Sequence, residues 1–63
     1  MRGMESLTIE QVAERLQVSE QTVRRMVARG EFPEPVKLGT KARWPADVVP
    51  RWFADRAAKA VQQ

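Results

Sequence analysis

Apolar residues recur at helical spacing in the first half of the chain. Ile9, Val12, Ala13 and Leu16 fall on one face of a helix, with Glu10, Glu14 and Arg15 toward water. Thr8 opens this helix as T-x-x-Q. Gln11 completes a capping box, and Leu7 with Val12 can form a hydrophobic staple. Val23, Met26 and Val27 repeat the pattern at i, i+3 and i+4 and predict a second helix. Ser19 stands where that helix begins, its hydroxyl able to accept the N–H of Gln21 or Thr22. Gly30 follows the last helical residue, Arg29, where a left-handed stop is wanted. The short turn Gln17-Val18-Ser19 joins the two, with apolar Val18 expected to plug the angle between them. This is a helix-turn-helix layout.

Beyond Gly30 the pattern changes. Pro33 and Pro35 keep residues 31–35 extended, and Phe32 is expected to close the core. Val36-Lys37-Leu38 alternates, Gly39-Thr40-Lys41 turns, and Ala42-Arg43-Trp44 alternates back, which predicts a β-hairpin. Its inner face is expected from Val36, Leu38, Ala42 or Trp44, and its outer face and tip from Lys37, Thr40, Lys41 and Arg43. Two strands alone are marginal in water, so the hairpin must lean on the helices as a wing. Asp47 is a good N-cap, which puts Pro50 in a first helical turn where a missing N–H is tolerated. Val48, Val49, Trp52 and Phe53 are then expected to seal the core, with Arg56 ending the stripe. Residues 57–61 favour helix but have little to bury. They read either as a docking arm for a partner or neighbouring subunit, or as a fraying end.

The expected fold is mainly α with a small β-hairpin wing, a winged helix-turn-helix. Residues 1–6 form a flexible tail and 7–56 the domain. Its helices run over about 9–16, 20–29 and 48–56, with the wing at about 36–44. Residues 57–63 are a C-terminal helical extension.

Composition narrows the chemistry. At 63 residues the chain is one small domain, burying only roughly 60% of its unfolded surface. Its core must rest on Phe32, Trp44, Trp52 and Phe53. No cysteine or histidine is present, so a disulfide, a thiol nucleophile and an ordinary zinc site are all excluded. With only scattered carboxylates left, no enzyme, cofactor or metal site is expected. No apolar run is long enough to span a membrane, and MRGMESL lacks the apolar segment of a signal peptide. The expected location is the cytoplasm, at the nucleoid.

The net charge of +3 is unevenly placed. Residues 1–23 sum to −2, residues 24–43 to +4 and residues 44–63 to +1. The positive block spans the second helix and the wing, the footprint of an acidic polymer as partner. On the second helix the face opposite the apolar stripe carries Gln21, Arg24, Arg25 and Ala28, flanked by Thr22 and Arg29. Such a face suits a major groove. The competing reading is an amphipathic surface helix whose charges simply face water. For DNA, Gln21 and Arg25 are the candidates for base edges, Arg25 taking guanine O6 and N7 together and Glu20 accepting from cytosine. Ser19, Thr22, Arg24 and Arg29 are candidates for phosphates, and Lys37, Thr40, Lys41 and Arg43 form the wing set.

The stretch LTIEQVAERLQVSEQTVRRMVARGEFPEPVKLGTKARWPADVVPRWF resembles the excisionase and AlpA-like branch of the MerR-type winged helix-turn-helix proteins. Leu7, Thr8, Val12, Ala13, Leu16, Val18, Ser19, Thr22, Val23 and Arg25 match its first part. Gly30, Phe32, Pro33 and Pro35 through Gly39 match the second, and Arg43, Trp44, Val49 and Trp52 the third. Val48 departs where the family commonly has Asp. The likeness covers about three-quarters of the chain. It implies DNA binding in one of two roles. An excisionase binds repeated sites in an attachment region, bends the DNA and helps an integrase excise a prophage or mobile element. An AlpA-like regulator binds near a promoter. Double-stranded DNA, an integrase and further copies of the chain are the implied partners. An antirepressor that uses the fold without DNA is a further alternative.

Overall fold

The computed structural model describes residues 5–61. The chain runs β1 (Ser6–Leu7), α1 (Ile9–Leu16), α2 (Glu20–Ala28), β2 (Val36–Leu38), β3 (Lys41–Pro45) and α3 (Val48–Val61). The strands form one antiparallel sheet in the order β1-β3-β2. Three helices with this sheet make a winged helix-turn-helix fold.

Local signals set both ends of α1. Thr8 Oγ1 accepts the Gln11 N–H at 3.1 Å, and Gln11 Oε1 accepts the Thr8 N–H at 2.9 Å, so the capping box closes in both directions. At the far end Gln17 takes the left-handed conformation, φ 61°. The N–H groups of Gln17 and Val18 reach back to the carbonyls of Glu14 and Ala13. That is a Schellman turn with glutamine in the position usually held by glycine. The end of α2 repeats it with Gly30 at φ +76°, where the N–H groups of Gly30 and Glu31 reach Val27 and Met26.

The core is Leu7, Val12, Ala13, Val23, Phe32, Trp44 and Val48, with Ile9, Leu16, Met26, Val27, Val49 and Trp52 packed half-buried around it. Phe32 sits between the two indoles, its ring centroid 6.2 Å from Trp44 and 5.3 Å from Trp52, edge-on to the latter. Both indole N–H groups find carbonyls on the segment after α2. Trp44 donates to Pro33 and Trp52 to Glu31, each at 2.8 Å. Two carbonyls of the proline-bearing segment are thus satisfied where it threads past the aromatic cluster.

Several expectations are corrected. Ser6 belongs to β1, with Ser6 opposite Pro45 and Leu7 opposite Trp44, so the described part of the expected tail is partly sheet. Residues 1–4 lie outside the described residues. Val18 is 38% exposed and does not plug the interhelical angle. The Schellman turn closes the end of α1 through backbone bonds and leaves Val18 on the rim. Phe53 is 65% exposed and takes no part in the core. It follows buried Val48 by five residues, about 140° further round the helix. Arg56 does end the stripe, lying 5.1 Å over the Trp52 ring and donating to the Glu31 carbonyl at 3.3 Å. Asp47 begins α3 through its carbonyl, which accepts the Arg51 N–H. Its carboxylate pairs instead with the Arg51 guanidinium at 3.4 Å. Pro50 occupies the third helical position and has no N–H to offer a capping side chain. α3 runs to Val61 and is exposed from Phe53 to Ala60. Residues 62–63 fall outside the described set. Among the described residues no helix is long and apolar enough to cross a membrane.

The wing carries the largest correction. Val36 pairs with Arg43, Lys37 with Ala42 and Leu38 with Lys41. Cross-strand partners share a face, so Val36 and Leu38 leave the same side as Lys41 and Arg43 and are 54% and 53% exposed. Lys37 shares the core-facing side with Ala42 and Trp44. The two-residue turn Gly39-Thr40 enforces this, with positive φ at Gly39 alone, as a type II′ turn requires. Trp44 must reach the core, and parity then turns the valine and leucine out.

Candidate nucleic-acid interface

The second helix presents three distinct strips. Val23 is fully buried, with Met26 and Val27 half-buried on either side. Opposite them, on the front, lie Gln21, Arg25 and Ala28, all exposed. Glu20 and Arg24 form the flank toward the wing, joined by an ion pair of 3.6 Å. Thr22 and Arg29 form the other flank. Every residue expected to touch DNA from this helix is therefore away from the core.

Ser19 is already engaged. Its Oγ accepts the Thr22 N–H at 3.1 Å and lies 2.9 Å from Thr22 Oγ1. The cap thus uses Thr22, one of the two donors expected. Arg29 caps the other end of α2, donating its N–H to Arg25.

The wing set is divided between the two faces of the hairpin. Lys41 and Arg43 leave the outer face with Val36 and Leu38, while Lys37 leaves the inner one. Thr40 is exposed at the tip. Between the wing and α2 runs an open groove of about 520 Å³. Arg24 of α2 stands on one wall and Lys37 on the other. Half-buried Arg43 borders the same groove, its guanidinium donating to the Ala42 carbonyl at 3.1 Å. Val27, Ala42 and Trp44 contribute its apolar lining, and Thr8, Ile9 and Glu10 close the end at the start of α1.

Sequence reasoning listed the cations and missed the groove. The signal for it was the parity of a two-residue turn, which places Lys37 beside Ala42 and Trp44 once Trp44 is assigned to the core. Glu10 and Glu14 are exposed on α1, as its polar face predicts.

No curated protein and no solved structure matches the chain. A family model described as a helix-turn-helix domain matches residues 6–57, from β1 through the middle of α3. Covering most of the 63 residues, this match places the chain in the helix-turn-helix domain family, and such a domain implies DNA binding.

Proposed function

We propose that this protein is a sequence-specific, DNA-bending excisionase that binds repeated sites in an attachment region and promotes excision of a prophage or mobile element by an integrase. The observation that carries the DNA-binding part is the outward front of α2, Gln21 and Arg25, continued on the wing side by Arg24, Lys37 and Arg43. In this reading Gln21 and Arg25 meet base edges in the major groove, Glu20 accepts from a cytosine amine, and Ser19, Thr22, Arg24 and Arg29 hold phosphates. Lys37, Thr40, Lys41 and Arg43 extend the contact from the wing.

The architectural role is supported by size. One short reading helix and one wing give a small footprint and modest affinity for a single site. Further copies on neighbouring repeats, together with the integrase, would supply the rest. The protein acts without chemistry of its own, as a chain with no histidine or cysteine suits. The AlpA-like alternative, a regulator bound near a promoter, fits the same family, which includes both kinds of protein.

Affinity selection of source-genome fragments on the purified protein, followed by sequencing, tests the proposal. Clustered direct repeats beside an integrase gene or attachment site are the expected result. One site overlapping a promoter moves the assignment to a transcription regulator. No enrichment at low salt overturns both readings.

A further inference from the structure

The groove between α2 and the wing has walls of one charge and an apolar floor. Arg24 and Lys37 face it from different elements, and Arg43 borders it. Glu10 is the one acidic residue on its lining. No ion pair among the described residues involves Lys37, and Arg24 is held only by an exposed pair with Glu20 at 3.6 Å. An exposed pair of this kind is worth little and exchanges readily for a phosphate. The floor, from Val27, Ala42 and Trp44, offers no hydrogen-bonding side chain except the Trp44 indole, which is committed to Pro33.

We infer that this groove seats one deoxyribose-phosphate unit of the DNA backbone, with the phosphate clamped between Arg24 and Lys37 and the sugar resting on the apolar floor. The inference deepens the DNA-binding reading and rests on it. Charge selects the phosphate, and the apolar floor matches the C–H faces of a deoxyribose. The groove adjoins the front of α2, so the occupied unit belongs to the strand that the reading helix follows. Recognition helix and wing then act on the same phosphate. Lys37 serves this contact because the register turns it inward, while Lys41 on the outer face does not.

The test measures binding of the full chain to its selected duplex for wild type, Arg24→Ala, Lys37→Ala and the double variant. Both residues are exposed, so the variants are expected to keep the wild-type circular dichroism. A parallel scan replaces single phosphates by neutral methylphosphonates. Each single variant is expected to bind about tenfold more weakly, as for a lost hydrogen bond to a charged group. The double variant is expected to lose much less than the product of the two. One methylphosphonate position should weaken wild type and add nothing to either variant. Multiplicative losses with two separate sensitive phosphates overturn the clamp while leaving DNA binding intact. Sub-millimolar binding of thymidine monophosphate that shifts Lys37 and Arg24 resonances, without any backbone-sensitive position in the duplex, overturns it in favour of a free-nucleotide site. Failure of the wild type to bind any duplex at low salt removes the underlying reading as well.

Discussion

The indole N–H of Trp52 donates to the main-chain carbonyl of Glu31 across 21 residues of sequence, and the Arg56 guanidinium, stacked over the same indole, shares that carbonyl. This ties α3 to the turn that ends α2. Trp52→Phe keeps a ring against Phe32 but removes the donor. The expected loss is about 1 kcal/mol from the bond, or a fall in Tm of about 4–8 °C for a domain of this size. Thermal unfolding followed by circular dichroism checks it. An unchanged Tm would mean that the carbonyl is equally well satisfied by Arg56 or water.

Two Schellman turns bracket the reading helix, one with glutamine and one with glycine at the left-handed position. Gln17→Gly is expected to stabilise and Gly30→Ala to destabilise, each by about 1 kcal/mol, the cost of left-handed backbone for a residue with a Cβ. Nothing lies within 4 Å of a Cβ at Gly30, so the cost there comes from the backbone alone. Urea denaturation of both variants should give shifts of opposite sign.

Val36 and Leu38 look outward. The double substitution Val36→Thr with Leu38→Thr is therefore expected to change stability by no more than about 0.5 kcal/mol. A loss of several kcal/mol in equilibrium unfolding would place them in the core after all.

Ser19 separates cap from contact. Ser19→Ala is expected to cost about 1 kcal/mol of stability through the lost cap. Ser19→Asp restores the cap yet weakens DNA binding, because a carboxylate faces the phosphate assigned to this hydroxyl. Equal DNA affinity for Ser19→Asp and wild type would remove Ser19 from the interface.

Arg25 and Lys41 should fail in different ways. Arg25→Ala is expected to cost about 1–3 kcal/mol and to relax preference at one base pair. Lys41→Ala should weaken all duplexes alike and reduce the salt slope by about one unit. Binding titrations at several salt concentrations, on the selected site and on random duplex, read both. Intact preference in Arg25→Ala would mean that α2 is rotated from the orientation assigned to it.

The parts of the fold legible in the sequence are those governed by neighbours along the chain. The Thr8–Gln11 box, the Ser19 cap and the Gly30 stop lie within a few residues of what they cap. The apolar stripe of Val23, Met26 and Val27 holds for the same reason. Long-range choices were less legible. β1 is two residues long, and its partner Trp44 is 37 positions away, so no local pattern marks it. Val36 and Leu38 look like core residues until the turn length and Trp44 together decide the parity. Gln17 in a left-handed turn violates the usual residue preference, and Val18 follows it out to the rim. The charged residues of the candidate site were legible as a list; their division between two faces of the wing was not.

β3 is the central strand, paired with β2 on one side and β1 on the other. The stretch before α1 is therefore mechanically continuous with the wing. A fusion joined directly at Ser6 would hang on the sheet that carries Lys37 and Arg43, whereas one joined after Val61 hangs on a helix that is exposed from Phe53 to Ala60. A reporter or affinity handle placed at the far end of α3 leaves the wing free to settle on DNA, and the same handle at the near end loads it.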